Sequence, residues 1–239
     1  MIRVERDLKQ VPKSLSNDKI KMCLQELIEK GRYDSKYDFI YRNEDVKDSL
    51  FKLYNRKCVY CESRLSGTEI EHYRNKSTYY WLAFSWDNLF PICSTCNRKK
   101  GAQFQVNNVR SKAPKILPDN FHTLSAKLNE EELPDLIHSE LDNPELFFIF
   151  SIDGLIDSSD SRGKYTITSC GLDRKELTTN RKAIIDELKK ELNCSLLFNE
   201  NIESIIRSFR KKAMNNESDY SAFRRFVVKM YLKEILSSL

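Results

Sequence analysis

The sequence predicts an α+β protein in which a small, metal-stapled module of strands and a helix lies inside a mainly helical scaffold with a small β-hairpin region. Apolar residues recur at helical spacing near both ends of the chain, and two Cys-x2-Cys pairs lie 31 residues apart in its first half. A strand-like stretch with an internal turn, "ELFFIFSIDGLIDSS", follows later. With 239 residues and 40% hydrophobic content, the chain can bury a substantial core.

The first 50 residues are predicted to form an N-terminal helical segment. In "SNDKIKMCLQELIEKG", the residues Ile20, Leu24 and Leu27 share one face, and Gly31 follows as a typical helix end. A second helix is predicted in "EDVKDSLFKLYNR", which leads directly into the first cysteine pair.

Residues 51–110 contain the two cysteine pairs. Thiolates at this spacing converge on one tetrahedral Zn²⁺, and a shell of four sulfurs leaves no open position for chemistry. The chain therefore predicts a structural zinc ion. Its ligands would be Cys58, Cys61, Cys93 and Cys96.

Polar residues that zinc does not need lie between and just after the cysteine pairs. Glu71 and His72 adjoin each other on a predicted strand, Asn88 follows in "WDNL", and Asn97 comes directly after the last cysteine, in a helix predicted to start near Ser94. A zinc staple would bring strand and helix together, and their carboxylate and amide oxygens suit a hard cation such as Mg²⁺ or Mn²⁺. A neutral imidazole could accept a proton from water. A histidine alone on a strand is more often structural.

Together these motifs resemble the zinc-stapled HNH endonucleases, which have a ββα-metal fold. The stretches "KCVYCE", "IEHYRNKS", "WDNLFPICSTCNRKKG", "LDNPELFFIFSIDGLI" and "GLDRKELTTNRKAI" extend the resemblance over most of the chain. Within that family they are similar to the HNH subunits of Septu anti-phage systems and their retron-associated relatives. The resemblance implies a metal-dependent DNA endonuclease that works in a defence complex.

The resemblance also implies roles for individual residues. His72 would be the general base, Glu71 and Asn97 would bind the catalytic Mg²⁺ or Mn²⁺, and Asn88 would hold the His72 loop in shape. Asn75 departs from the family, where proline is common, and could loosen that loop. The resemblance further implies an ABC-type ATPase subunit as a partner.

Positive charge is concentrated around the cysteine pairs. Residues 51–101 contain 9 Lys and Arg against 4 Asp and Glu, whereas residues 102–180 contain 8 against 13. Cations in the first stretch are predicted to contact the phosphate backbone of DNA, although the run "NRKKG" could also be a solvated helix end. The predicted contacts are Arg74, Lys76, Arg98, Lys99 and Lys100.

The rest of the chain is predicted to support the module. Residues 111–180 form an acidic, irregular and β-hairpin region, in which "KYTITSCGLD" is also predicted as a strand. Residues 181–239 form helices for partner docking or support. The aromatic run "YYWLAFSW" is predicted as core, His122 and His138 as structural or surface residues, and three single cysteines as core fillers: Cys23, Cys170 and Cys194.

The chain shows neither a secretory signal at its start nor an apolar stretch long enough to cross a membrane, so we expect a cytoplasmic protein. Two alternatives to a DNA nuclease remain open. One is a non-catalytic zinc module that docks DNA or a protein, which would need none of the four residues His72, Glu71, Asn88 and Asn97. The other is an RNA nuclease, because the sequence does not distinguish the two sugars.

Overall fold

The computed structural model describes residues 1–67, 69–198 and 201–237. Within these residues, four short strands form two antiparallel hairpins: β1 (Glu69–His72) pairs with β2 (Leu89–Ile92), and β3 (Ile149–Phe150) pairs with β4 (Ile156–Asp157). The α-helices of the described residues are α1 (Asp18–Lys30), α2 (Asp38–Tyr41), α3 (Glu44–Leu53), α4 (Ser94–Lys100), α5 (Ser125–Glu132), α6 (Ser161–Cys170), α7 (Lys175–Leu197), α8 (Ile202–Met214), α9 (Ser221–Met230) and α10 (Leu232–Ser237).

The two helices predicted near the start of the chain are confirmed as α1 and α3. The first buries Ile20, Leu24 and Leu27 on one face. It ends at Gly31, whose φ of 66° is left-handed, and the Gly31 N–H donates to the carbonyl of Ile28. Glycine adopts this conformation without the steric cost that a Cβ atom imposes, so the stop signal in the sequence has a physical basis.

The β1–β2 hairpin and α4 form the predicted ββα unit, so the predicted fold class is confirmed. Glu71 pairs with Phe90 and His72 pairs with Leu89 across the hairpin. Cys93 follows β2 and caps α4, because its sulfur accepts the backbone N–H of Cys96. The chain therefore turns from strand into helix at the second cysteine pair.

The prediction of a strand in "KYTITSCGLD" is wrong, because most of this stretch belongs to α6. The Asp160 carboxylate caps this helix by accepting the backbone N–H groups of Arg162 and Gly163, and the left-handed Gly171 ends it. Its buried positions include Thr166, Ile167 and Cys170, at helical spacing. Here end caps and one buried stripe outweigh the strand propensity of the β-branched residues.

The C-terminal helices are confirmed as α7, α8 and a last segment that divides into α9 and α10. The division falls at Tyr231, whose hydroxyl donates to the Phe150 carbonyl on β3. The helices share an apolar core that includes Leu188, Phe209 and Val227.

The aromatic run that follows β1 is core, as predicted, with Tyr79, Trp81, Phe84 and Trp86 all buried. Among the single cysteines, Cys170 is a buried core residue, whereas Cys194 is exposed on α7, so the prediction for Cys194 is wrong. Within the described residues, no helix combines the length and the apolar character that crossing a membrane requires.

Candidate active site

The four predicted zinc ligands converge. The sulfur atoms of Cys58, Cys61, Cys93 and Cys96 all lie within 4.8 Å of one another, and Cys61 Sγ lies 3.7 Å from Cys93 Sγ. That separation is far too long for a disulfide and close to the edge of about 3.8 Å that sulfurs share in a tetrahedral zinc site. The cysteines are free thiols in the structure, so the donor set fits a structural zinc ion.

Arg174, at the start of α7, lies against the cysteine cluster. Its guanidinium donates to Cys96 Sγ at 3.4 Å and also to the Gly171 carbonyl at 3.0 Å. Burial disfavours the charge on Arg174, but its Coulombic and hydrogen-bond interactions with the Cys96 and Cys61 sulfur atoms outweigh this effect, and the arginine pKa is raised. The contact links the cluster to the end of α6 and the beginning of α7.

One face of β1 lies against one face of α4, and two residues on that strand face contact side chains of the helix. The Asn97 side-chain amide donates to Glu69 Oε2 at 2.7 Å. One turn further along α4, the Lys100 ammonium forms an ion pair with the Glu71 carboxylate. Alternate strand residues point to the same side, so Glu69 and Glu71 both face the helix. Carboxylate and amide side chains, the residue types that bind a hard divalent cation, thus lie on facing sides of this junction, with the Asn97 nitrogen on Glu69 and Lys100 on Glu71.

Lys100 is fully buried, and its ammonium contacts both members of the Glu71-His72 pair. It binds the Glu71 carboxylate and donates to the main-chain carbonyl of His72 at 3.2 Å. Burial raises the Glu71 pKa, and the charge of Lys100 opposes this rise. Lys100 thus holds the carboxylate and the adjacent backbone in one arrangement.

His72 is buried with its imidazole in a neutral state. Burial lowers the pKa of His72 to about 3. Nε2 lies 2.9 Å from the Ala83 carbonyl, and because a carbonyl oxygen only accepts, Nε2 carries the hydrogen and Nδ1 the lone pair. The ring of Tyr41 packs edge-on against the imidazole, with ring centroids 4.6 Å apart. The protein therefore fixes both the tautomer and the orientation of the ring.

Asn88 ties together the segments on either side of the aromatic run. Its side-chain oxygen accepts the Arg74 N–H at 2.8 Å, and its side-chain nitrogen donates to the carbonyls of Arg74 and Leu82. Asn75, which the sequence suggested could loosen this loop, instead donates to Ala102 and accepts from the Thr78 N–H. The loop after His72 is thus held by side-chain hydrogen bonds from both asparagines.

The five cations predicted to contact DNA occupy three different environments. Arg74 is fully buried in an ion pair with Glu132, and Lys100 is buried as described, so neither side chain can reach a phosphate in this structure. Lys76 is partly exposed and paired with Asp38. Arg98 and Lys99 are exposed on α4. Their partners explain the difference, because Arg74 and Lys100 each compensate a buried carboxylate.

Three residues at this site were not singled out from the sequence: Glu69, Arg174 and Tyr41. A signal existed for Glu69, since it lies two positions before Glu71 and therefore on the same strand face. The other two come from distant parts of the chain, where the sequence pattern points only to helix ends and core.

Comparisons with known proteins assign this region to a nuclease family. The HNH endonuclease family model matches residues 58–103, which include both cysteine pairs and the site. Septu protein PtuB from Bacillus mycoides (strain KBAB4) is 34% identical over 217 residues, which cover 80% of this chain and 70% of that protein. The chain belongs to the PtuB family of HNH endonucleases.

Two further relatives are also named as Septu proteins. Septu protein PtuB from Bacillus thuringiensis is 37% identical over 94 residues, or 38% of this chain and 34% of that protein. Septu protein PtuA from Bacillus mycoides is 27% identical over 187 residues, which are 67% of this chain but only 25% of PtuA. A PtuA chain thus contains a segment similar to this PtuB-family protein within a much longer polypeptide.

Proposed function

We propose that this nuclease cleaves DNA in a reaction that depends on a divalent metal ion. One observation carries the proposal: the neutral His72 imidazole adjoins Glu71 on β1, and this strand packs against the helix α4 that carries Asn97. When bound there, Mg²⁺ or Mn²⁺ would stabilise negative charge that develops on the phosphate. Glu71 and Asn97 are the proposed ligands.

His72 is the proposed general base. Its Nδ1 lone pair accepts the proton of the attacking water, while the Nε2–H bond to Ala83 keeps the ring in place. A pKa near 3 keeps the ring unprotonated at neutral pH, and the negative charge of a bound phosphate would raise that pKa toward a value that suits proton transfer. Asn88 supports the base by fixing the loop that follows it.

The remaining proposed roles concern binding and folding. Arg98 and Lys99 are the best placed of the predicted cations to hold the DNA backbone, because both are exposed on the helix that carries Asn97. Zinc bound to the four cysteines would fix α4 against the preceding turn. We also propose that the protein is cytoplasmic, because the reducing conditions there keep these thiols free to bind metal.

We also propose that the chain works with a PtuA-type, ABC-type ATPase subunit in anti-phage defence. The similarity to Septu protein PtuB supports this, and so does the PtuA relative in which a similar segment is covalently joined to a longer chain. A nuclease that cut DNA without restraint would damage its own cell, so control by a partner is physically reasonable.

The test is cleavage of supercoiled plasmid with Mg²⁺ or Mn²⁺, by the chain alone and together with its PtuA-type partner. We expect His72→Ala to lower the cleavage rate by roughly 10² to 10⁴ and to leave DNA affinity nearly unchanged, since a general base acts mainly in the transition state. Wild-type rates in this variant would refute the assignment of the base. A wild-type complex that binds but never cuts DNA would favour a docking module, and cleavage of RNA alone would favour an RNA nuclease.

A further inference from the structure

An open apolar groove lies between β3, the segment before it, and the helices α8 and α9. Its volume is about 870 Å³. Four apolar side chains along it remain at least half exposed to solvent, although side chains of this kind are usually buried: Leu146 at 80%, Ile149 at 50%, Met214 at 76% and Met230 at 56%. Such a concentration of exposed apolar residues marks an interaction surface.

The rim of the groove is positively charged. Arg210 on α8 and Lys229 on α9 are exposed, and within the described part of the chain neither has an ion-pair partner. The acidic residue of the rim, Glu145, is already paired with Arg225 at 2.6 Å. The charges left without a partner are therefore cationic, and the matching occupant carries carboxylates beside an apolar surface.

We propose that this groove docks an amphipathic helix of the PtuA-type partner subunit, with apolar side chains on one face and acidic side chains along its edges. This inference rests on the proposed function, which supplies the partner. Helix-in-groove recognition uses an apolar floor and charged edges, and flexible methionines such as Met214 and Met230 adapt to the side chains they receive. A nucleic acid fits less well, because DNA backbones are bound through polar and charged groups rather than through an apolar floor.

The connection between the two groove helices also contacts the first cysteine turn. Residues 215–220 link α8 to α9, and Lys57 donates to the Ser218 carbonyl at 2.9 Å. The hydroxyls of Ser63 and Tyr220 lie 3.0 Å apart. A partner seated in the groove thus lies on helices that continue directly into contacts with the nuclease module, as a regulatory subunit requires.

The test compares the full chain and its variants for binding to the co-expressed, tagged PtuA-type subunit. We expect Leu146→Glu together with Met214→Glu to weaken binding at least roughly tenfold, because both apolar contacts are lost and negative charge faces an acidic helix. Met22→Glu is the matched control, since Met22 is 72% exposed on α1, outside the groove. Arg210→Glu should also weaken binding and make it less sensitive to salt.

The outcomes of this binding experiment distinguish the possible occupants of the groove. Wild-type affinity in the groove variants would overturn the inference and leave the proposed partner intact, whereas a wild-type chain that never binds the PtuA-type subunit would overturn both. Variants that lose self-association but keep the partner would identify a second copy of this chain as the occupant. Variants that lose only DNA affinity would identify nucleic acid. Circular dichroism and zinc content verify that the variants are folded.

Discussion

Lys100 balances the charge of the Glu71 carboxylate at the junction between β1 and α4. It is a fully buried cation, and its carboxylate partner Glu71 is buried as well. Removing one member of such a pair leaves an uncompensated charge in the interior, whereas removing both charges does not.

We therefore expect Lys100→Met to lower the free energy of unfolding by about 3–5 kcal/mol. Adding Glu71→Gln to that variant should recover much of the loss, because the orphaned charge disappears. Lys99→Met is the control, since the neighbouring lysine is exposed. Urea denaturation of the wild type, both single variants Lys100→Met and Glu71→Gln, the double variant and the control measures the coupling, and equal losses in Lys100→Met and the double variant would contradict it.

The environment of His122 predicts how the stability of the protein depends on pH. Its Nδ1 accepts the Trp86 N–H at 3.0 Å and its Nε2 binds the Leu15 carbonyl, an arrangement that needs a neutral ring. Burial lowers the His122 pKa to about 4, below the usual 6.5, so the unfolded chain takes up the proton first as the pH falls. Stability that is present above pH 6.5 is therefore lost between about 6.5 and 4.

The expected loss from this histidine is about 2 kcal/mol, allowing for its partial exposure. Urea denaturation at several pH values, with wild type and His122→Gln side by side, isolates the contribution from other acid-sensitive groups. The variant should lose less stability on acidification. If the free energies of unfolding of the two proteins changed in parallel with pH, His122 would not be the cause of the pH dependence.

At the scale of single elements, the sequence predicted helices well where an apolar stripe coincided with end signals, as in α1 with Gly31. It missed α6, because Tyr165, Thr166, Ile167 and Thr168 have strand propensities, while the Asp160 cap that decides the matter is a single side chain. The burial of Arg74 could not be predicted either, because its partner Glu132 lies 58 residues further along the chain.

α6 packs so closely at Gly163 that a methyl group does not fit. A Cβ atom there would collide with the Ser158 side chain and lie 2.8 Å from the Phe147 carbonyl oxygen. Gly163→Ala gains about 1 kcal/mol of helix propensity, but the overlap costs more. We expect a net loss of about 1–3 kcal/mol in thermal or urea unfolding. Lys164→Ala, one position further along, should change stability little, and a stabilised Gly163→Ala variant would contradict the close packing.

At the scale of the whole molecule, the cysteine cluster joins segments that are far apart in sequence. It connects the turn at Cys58 to α4, and Arg174 adds the beginning of α7. The sequence predicted the four ligands from their spacing, but it gave no signal for the arginine, which lies 78 residues beyond Cys96. Loss of the metal would therefore loosen more than the HNH module.

We expect one tightly bound zinc ion per chain, whose binding contributes on the order of 10 kcal/mol to folding. Cys96→Ser should yield poorly soluble protein, and a strong chelator should lower both the melting temperature and the protection of α7 from hydrogen exchange. Elemental analysis and hydrogen exchange measure the two effects. The replacement Cys170→Ser, at a cysteine outside the cluster, should leave the zinc content at one. A folded, zinc-free wild-type protein would refute the role of the metal.

The exposure of Cys194 has a practical use. This residue is exposed on α7, while the four clustered cysteines would be occupied by metal, Cys170 is enclosed by the core, and Cys23 is half-buried with a pKa that burial raises. Maleimide reagents need an accessible thiolate, so they should couple to Cys194 before the others. The natural protein thus offers an attachment point for a fluorophore. Dye placed there lies on the helical C-terminal part of the chain, where its anisotropy can follow assembly with a second subunit in real time without an engineered cysteine.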